Sequence, residues 1–129
     1  MSGSVRVAVV GTGRMGSAMV GRLVGAGHAV SVFSRTTSRA AALAEEHGIA
    51  VAPTAREAAS AADVIVVSLA DDAAVRAAYL GADGLVAGLR AGTVVADTST
   101  VDPATIRALG DDVARVGATL IDTPVSGSV

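Results

Sequence analysis

Short apolar runs alternate along this chain with longer stretches in which apolar and small residues recur at helical spacing. The run VRVAVV at 5–10 predicts a first strand, and 14–27 a helix. AVSVF at 29–33 predicts a second strand, followed by a helix over 37–47 that Gly48 closes. A brief third strand is predicted at 49–51, and Pro53 starts a short helix running to about 62. DVIVVSL at 63–69 is the strongest strand signal, continuous and β-branched, as suits a strand covered on both faces. A helix over 72–80, a glycine-punctuated loop and a fifth strand at 93–97 come next. Asp102 and Pro103 have the form of an N-cap with proline at the first helical position, opening a helix to about 116. A sixth strand is predicted at 118–121.

Strands that alternate with helices specify βαβ units, and right-handed crossovers wind such units into an open parallel sheet with helices on both faces. The expectation is a doubly wound α/β fold, a mostly parallel sheet of about six strands, in a single domain over 1–129. At 51% hydrophobic the chain is not disordered, and at 2% aromatic its core must come from Ala, Val, Leu and Ile. Phe33 and Tyr79 are the sole aromatics. Alanine-rich stretches such as 40–44 fall inside helical patterns, where alanine favours the helix and lets it approach the sheet.

Charge narrows the partners. A formal net charge of -2 gives no basic excess to neutralise phosphates, so no nucleic-acid partner is expected. Without cysteine there are no disulfides or thiolate metal sites, and no metal is expected. No run approaches the ~20 apolar residues of a spanning helix, and no secretory signal is visible. A soluble, cytoplasmic protein without a membrane partner is the expectation. All ten cationic side chains are arginine; there is no lysine.

Gly11-Thr12-Gly13-Arg14-Met15-Gly16 fits G-x-G-x-x-G between a predicted strand and a predicted helix. In that context Gly11 permits the tight turn, Gly13 lets the backbone approach a pyrophosphate, and Gly16 lets the helix pack on the strand. Free amides and the helix dipole then face the phosphates, which is the Rossmann-type arrangement. A glycine-rich turn without a ligand is the competing reading. Dinucleotide folds that bind NAD carry an acidic residue about 20 residues beyond the loop, to hold the ribose 2′-hydroxyl. Here Ser34-Arg35-Thr36-Thr37-Ser38-Arg39 has no carboxylate. Arg35 can pair with a 2′-phosphate and stack on adenine, with the hydroxyls of Ser34 and Thr36 beside it, which favours NADP(H). Arg35 and Arg39 could instead be solvated residues at a helix start, a reading more open for Arg39.

Three later stretches fall where carboxyl ends of strands gather: Ser68-Leu69-Ala70-Asp71-Asp72, Asp97-Thr98-Ser99-Thr100-Val101-Asp102-Pro103 and Asp122-Thr123-Pro124-Val125-Ser126-Gly127-Ser128. Together with the glycine loop and the S-R-T turn, they resemble the β-hydroxyacid dehydrogenase family, which includes 3-hydroxyisobutyrate dehydrogenases and glyoxylate or succinic semialdehyde reductases. The resemblance covers essentially the whole chain and is most specific in the second and third stretches. It implies that Leu69 and Ala70 pass under the dinucleotide and that Thr100 lies near nicotinamide and substrate. It also implies that Ser126, Gly127 and Ser128 hold a small carboxylate substrate. Helix capping ahead of Pro103 is the competing role for Ser99 and Thr100, and Asp97 and Asp122 read as structural.

The resemblance also implies a lysine beyond the P-V-S-G segment, which exchanges a proton with the carbonyl oxygen, and a helical second domain that closes the cleft. Neither is in these 129 residues. His28 and His47 fall at a turn and a helix end, far along the chain from the substrate motif, and Arg14 stays protonated. No catalytic residue is therefore assigned, and the expectation is a cofactor-binding domain that is inactive alone. It could self-associate as a homodimer through surface that the second domain would cover. A non-enzymatic NADP sensor or scaffold is the alternative. The N-terminal half of an imine reductase or a 6-phosphogluconate dehydrogenase-like enzyme is another, though imine reductases usually differ at the substrate turn.

Overall fold

A computed structural model describes residues 5–123. Six strands form one sheet, all parallel, in the order β3-β2-β1-β4-β5-β6. In chain order the elements are β1 (Arg6–Val10), α1 (Arg14–Gly25), β2 (Ala29–Phe33), α2 (Thr37–His47), β3 (Ala50–Val51) and α3 (Ala55–Ser60). Then come β4 (Val64–Val67), α4 (Asp72–Tyr79), α5 (Leu85–Gly88), β5 (Val94–Asp97), α6 (Pro103–Arg115) and β6 (Thr119–Asp122). The doubly wound fold expected from the alternation is present, with every predicted strand in place.

Strand β1 shows why the apolar runs are continuous. Val7 and Val9 enter a core with Val20, Val30 and Val66, which Met19 and Leu23 of α1 and Leu43 of α2 complete. Ala8 and Val10 point the other way, into a larger core with Ile65, Val67, Tyr79, Leu85, Val95 and Val113. Alternate residues from Val7 to Val10 thus line two cores, and none of these four positions can be polar. Residues of both kinds on β1 are 3% exposed or less.

Helix starts follow the caps in the sequence. Thr54 Oγ1 accepts the Glu57 amide at 3.0 Å, and Asp71 Oδ1 accepts the Ala74 amide at 2.8 Å. Asp102 Oδ1 accepts the Ala104 amide at 2.8 Å ahead of Pro103. The short third helix therefore begins at Ala55 rather than at Pro53, because Thr54 is its cap.

A helical turn at α5 stands where the glycines predict only loop. A Cβ on Gly88 would collide with the Arg56 carbonyl, and one on Gly84 with the backbone of Leu80 and Tyr79. These glycines let α5 lie against the backbone of α3 while Leu85 fills the core. Strand β4 is shorter than predicted: beyond Ser68, whose amide donates to the Val10 carbonyl, the chain leaves the sheet.

Candidate functional site

Between β1 and β4 the strand order reverses direction, and the two carboxyl ends diverge into a crevice, the place where open α/β sheets take ligands. A cleft of about 700 Å³ opens there. The glycine loop forms its floor. Gly11 has φ 108°, donates its amide to the Phe33 carbonyl at 2.9 Å, and has no room for a Cβ beneath the Ser68 carbonyl. Gly16 is pressed against the Gly11 carbonyl in the same way, which seats the start of α1 on the loop. Gly13 differs from both. No protein atom lies within 4 Å of a Cβ built there, so its bare backbone faces open space.

That open backbone belongs to the N-terminus of a twelve-residue helix, α1. Its N-cap, Gly13, supplies no side-chain cap, and its first turn carries no acidic residue. The first-turn amides have neither side-chain acceptor nor fixed negative charge beside them, which suits an anionic ligand.

The second wall is the turn after β2. Thr12, almost buried at 8% exposure, donates its hydroxyl to Ser34 Oγ at 2.8 Å, and Ser34 Oγ also accepts the Thr36 amide at 3.1 Å. Ser34, Arg35, Thr36 and Arg39 line the cleft. Among the described residues neither Arg35 nor Arg39 has an ion-pair partner. The facing wall comes from Ser68, Leu69 and Ala70 after β4 and from Ala74, Ala77 and Ala78 on α4.

Of the residues singled out in the sequence, the cleft gathers Gly11, Thr12, Gly13, Ser34, Arg35, Thr36, Leu69 and Ala70. Arg14 and Met15 are exposed on the first turn of α1 and do not line it, and Gly16 acts through packing. Thr100 is exposed and outside the cleft lining. Ser126, Gly127 and Ser128 lie outside the described residues. His28 Nδ1 accepts the Val5 amide at 3.2 Å, His47 lies 3.6 Å from Glu46, and neither reaches the cleft. Sequence reasoning missed the wall made by Pro53, Thr54, Ala55, Leu80, Asp83 and Gly84. The signal was there in part: alanines at 74, 77 and 78 share one face of α4, and small side chains leave space for a ligand.

Tyr79, fully buried, lies between two residues of the cleft lining, Ala78 and Leu80. Burial first, and the neighbouring Asp97 carboxylate second, push its hydroxyl far above the ordinary tyrosine value. It stays neutral and donates to Asp97 Oδ2 at 2.6 Å. Among the described residues no cluster of three or more His, Asp or Glu side chains could hold a metal, and no helix is long and apolar enough to cross a membrane.

The sequence profile of the NAD binding domain of 6-phosphogluconate dehydrogenase matches residues 6–129. The chain belongs to that family. The cleft residues fit the nicotinamide dinucleotide that the family binds: an open backbone at Gly13, uncapped amides on α1 and a free guanidinium after β2. The 3-hydroxyisobutyrate dehydrogenase of Pseudomonas aeruginosa is 37% identical over 123 residues, 95% of this chain and 41% of that protein. The solved Mycobacterium tuberculosis 3-hydroxyisobutyrate dehydrogenase with L-serine superposes with a TM-score of 0.86 at 35% identity, covering 96% of this chain and 41% of that one. Psf3 in complex with NADP+ and 2-OPP also gives 0.86, at 37% identity over 94% of this chain and 43% of that one. Imine reductases are among the solved structures sharing the fold. The β-hydroxyacid dehydrogenase resemblance read from the motifs is thus what the comparisons return. The chain spans about two fifths of the length of these relatives.

Proposed function

We propose that the cleft binds NADP(H) in preference to NAD(H), as the cofactor half of an oxidoreductase acting on a small hydroxy acid or semialdehyde. The observation that carries the cofactor choice is Arg35, in the cleft wall after β2 with no ion-pair partner among the described residues and no carboxylate in 34–39. In this reading the amides at Gly13 and the first turn of α1 hold the pyrophosphate, and Arg35 holds the 2′-phosphate with Ser34 and Thr36 beside it. Arg39, one helical turn on, is a second cation for the same phosphate. Leu69 and Ala70 support the dinucleotide from the opposite wall, and Thr100 with Ser126, Gly127 and Ser128 would serve a small carboxylate substrate.

The bound cofactor supplies or accepts a hydride; the described residues hold and orient it. The 129 residues hold no lysine, the residue type to which the resemblance assigns proton transfer. General acid–base assistance is typically worth ~10²–10⁴-fold, so the chain alone should bind cofactor and scarcely turn over.

Calorimetric titration with NADPH and NADH tests this reading. A charge-assisted contact contributes about 1.5–3 kcal/mol, so NADPH should bind about one to two decades more tightly. Arg35→Asp should abolish or invert the preference. Equal affinities that ignore the substitution overturn the cofactor assignment, and reduction of glyoxylate or succinic semialdehyde at ordinary enzyme rates overturns the inactivity.

A further inference from the structure

A buried chain of polar groups runs from α4 to the edge of the cleft, and the cofactor reading leaves it unused. Tyr79 and Asp97 are 0% exposed and Ser99 is 4% exposed. The Tyr79 hydroxyl donates to Asp97 Oδ2 at 2.6 Å, and the Ser99 amide donates to Asp97 Oδ1 at 2.7 Å. Ser99 Oγ then accepts the Leu69 amide at 2.9 Å. Leu69 closes the sequence: its Cδ2 lies 3.1 Å from the point where a Gly11 Cβ would stand.

The chain begins its last step where the sheet ladder stops. The Ser68 amide still bonds backbone, the Val10 carbonyl of β1, at 2.9 Å. One residue later the Leu69 amide bonds a side chain of the neighbouring turn instead. That exchange turns the backbone out of the sheet and over the glycine loop. A carboxylate buried at Asp97 carries a desolvation cost and would be replaceable by an apolar side chain if only packing were at stake. Here both its oxygens are committed, one to α4 and one to the turn that grips Leu69.

We propose that Tyr79, Asp97 and Ser99 are positioning residues for the dinucleotide, a buried relay that fixes the Leu69–Ala70 turn against the glycine loop. The relay touches no ligand. It acts through the backbone of Leu69, and it rests on the reading that this cleft takes a dinucleotide. Its action follows from geometry: with Ser99 Oγ gone, the Leu69 amide must find another acceptor, and the cleft wall moves relative to Gly11.

The test uses the full chain and two readouts, NADPH affinity and hydrogen exchange at the Leu69 amide. Ser99→Ala should weaken NADPH about tenfold and expose the Leu69 amide to faster exchange. Tyr79→Phe, one step further back, should weaken NADPH several-fold. Thr98→Val is the control: the Thr98 hydroxyl donates to the Val67 carbonyl at 2.9 Å in the same turn but outside the relay. It should lower stability while leaving both readouts near wild type. Ser99→Ala binding NADPH as wild type does overturns the relay. If that variant fails to fold, unchanged affinity in Tyr79→Phe overturns it. Wild type binding neither nucleotide is a different result, which removes the cofactor reading and the relay with it.

Discussion

Thr12 donates its hydroxyl to Ser34 Oγ across 2.8 Å, joining the loop after β1 to the turn after β2. The two segments are 22 residues apart in the chain and carry different parts of the proposed ligand contact, pyrophosphate on one side and 2′-phosphate on the other. Thr12→Val keeps the shape and removes the donor. Stability should fall by about 1 kcal/mol in urea unfolding, and calorimetry should show NADPH weakened more than NADH. An equal loss for both nucleotides would mean that the bond does not set the 2′-phosphate wall.

The glycines of the loop make opposite predictions. Gly13→Ala puts a methyl into open space at φ -70°, so thermal stability should be unchanged or slightly higher. Its NADPH affinity should nevertheless fall by tenfold or more, because the methyl stands where phosphate approaches. Gly11→Ala faces both φ 108° and the Ser68 carbonyl, and should lose about 2 kcal/mol or more of stability before any ligand is added.

Acid stability should depend on Asp72. Its carboxyl is held below the ordinary 3.8, chiefly because Thr105 donates to it, at 2.7 Å. Asp63 is held below the same value chiefly by the hydrogen bond from Arg6. A lowered folded-state pKa contributes stability that is present above the unfolded value and lost as pH falls through the folded one. Stability should therefore decline from about pH 4 downward, and Thr105→Val should flatten that decline in a pH series of urea melts.

Alkaline stability should depend on one residue. With no cysteine, no lysine and a single tyrosine, Tyr79 is the side chain whose ordinary value falls between about pH 9 and 12, so the unfolded chain loses that proton there while the folded one keeps it. Its folded-state value is raised, so its contribution is complete below the ordinary 10.0 and lost as pH rises beyond it. Tyr79→Phe should remove that alkaline loss while lowering stability at pH 7 by about 1–3 kcal/mol, since Asp97 Oδ2 is left without its donor. A steep alkaline decline persisting in Tyr79→Phe contradicts the assignment.

What the sequence disclosed was what periodicity and loop chemistry encode locally. The six strands, the cap at Asp102 and the glycine loop could be read because each leaves a signature within a few residues. The helical turn at α5 could not, because Gly88 owes its identity to the Arg56 carbonyl on another helix. The wall at Pro53–Ala55 and Asp83 was missed for the same reason: it joins the cleft by way of the sheet order, through no motif of its own. Ser99 was weighed as a helix cap beside Thr100, yet its hydroxyl reaches back 30 residues to Leu69.

One consequence concerns how the strands find their alignment. Over 7–10 the β1 ribbon is greasy on both sides, so those four side chains by themselves penalise a one-step slip past β4 only weakly. What opposes the slip lies at the two ends: Arg6 is held to Asp63, and beneath the Ser68 carbonyl Gly11 has no room for a Cβ, so a threonine or valine brought there would clash. The loop proposed to cradle the cofactor thus also helps index the two central strands, and accuracy of folding is tied to the same few atoms as the proposed recognition.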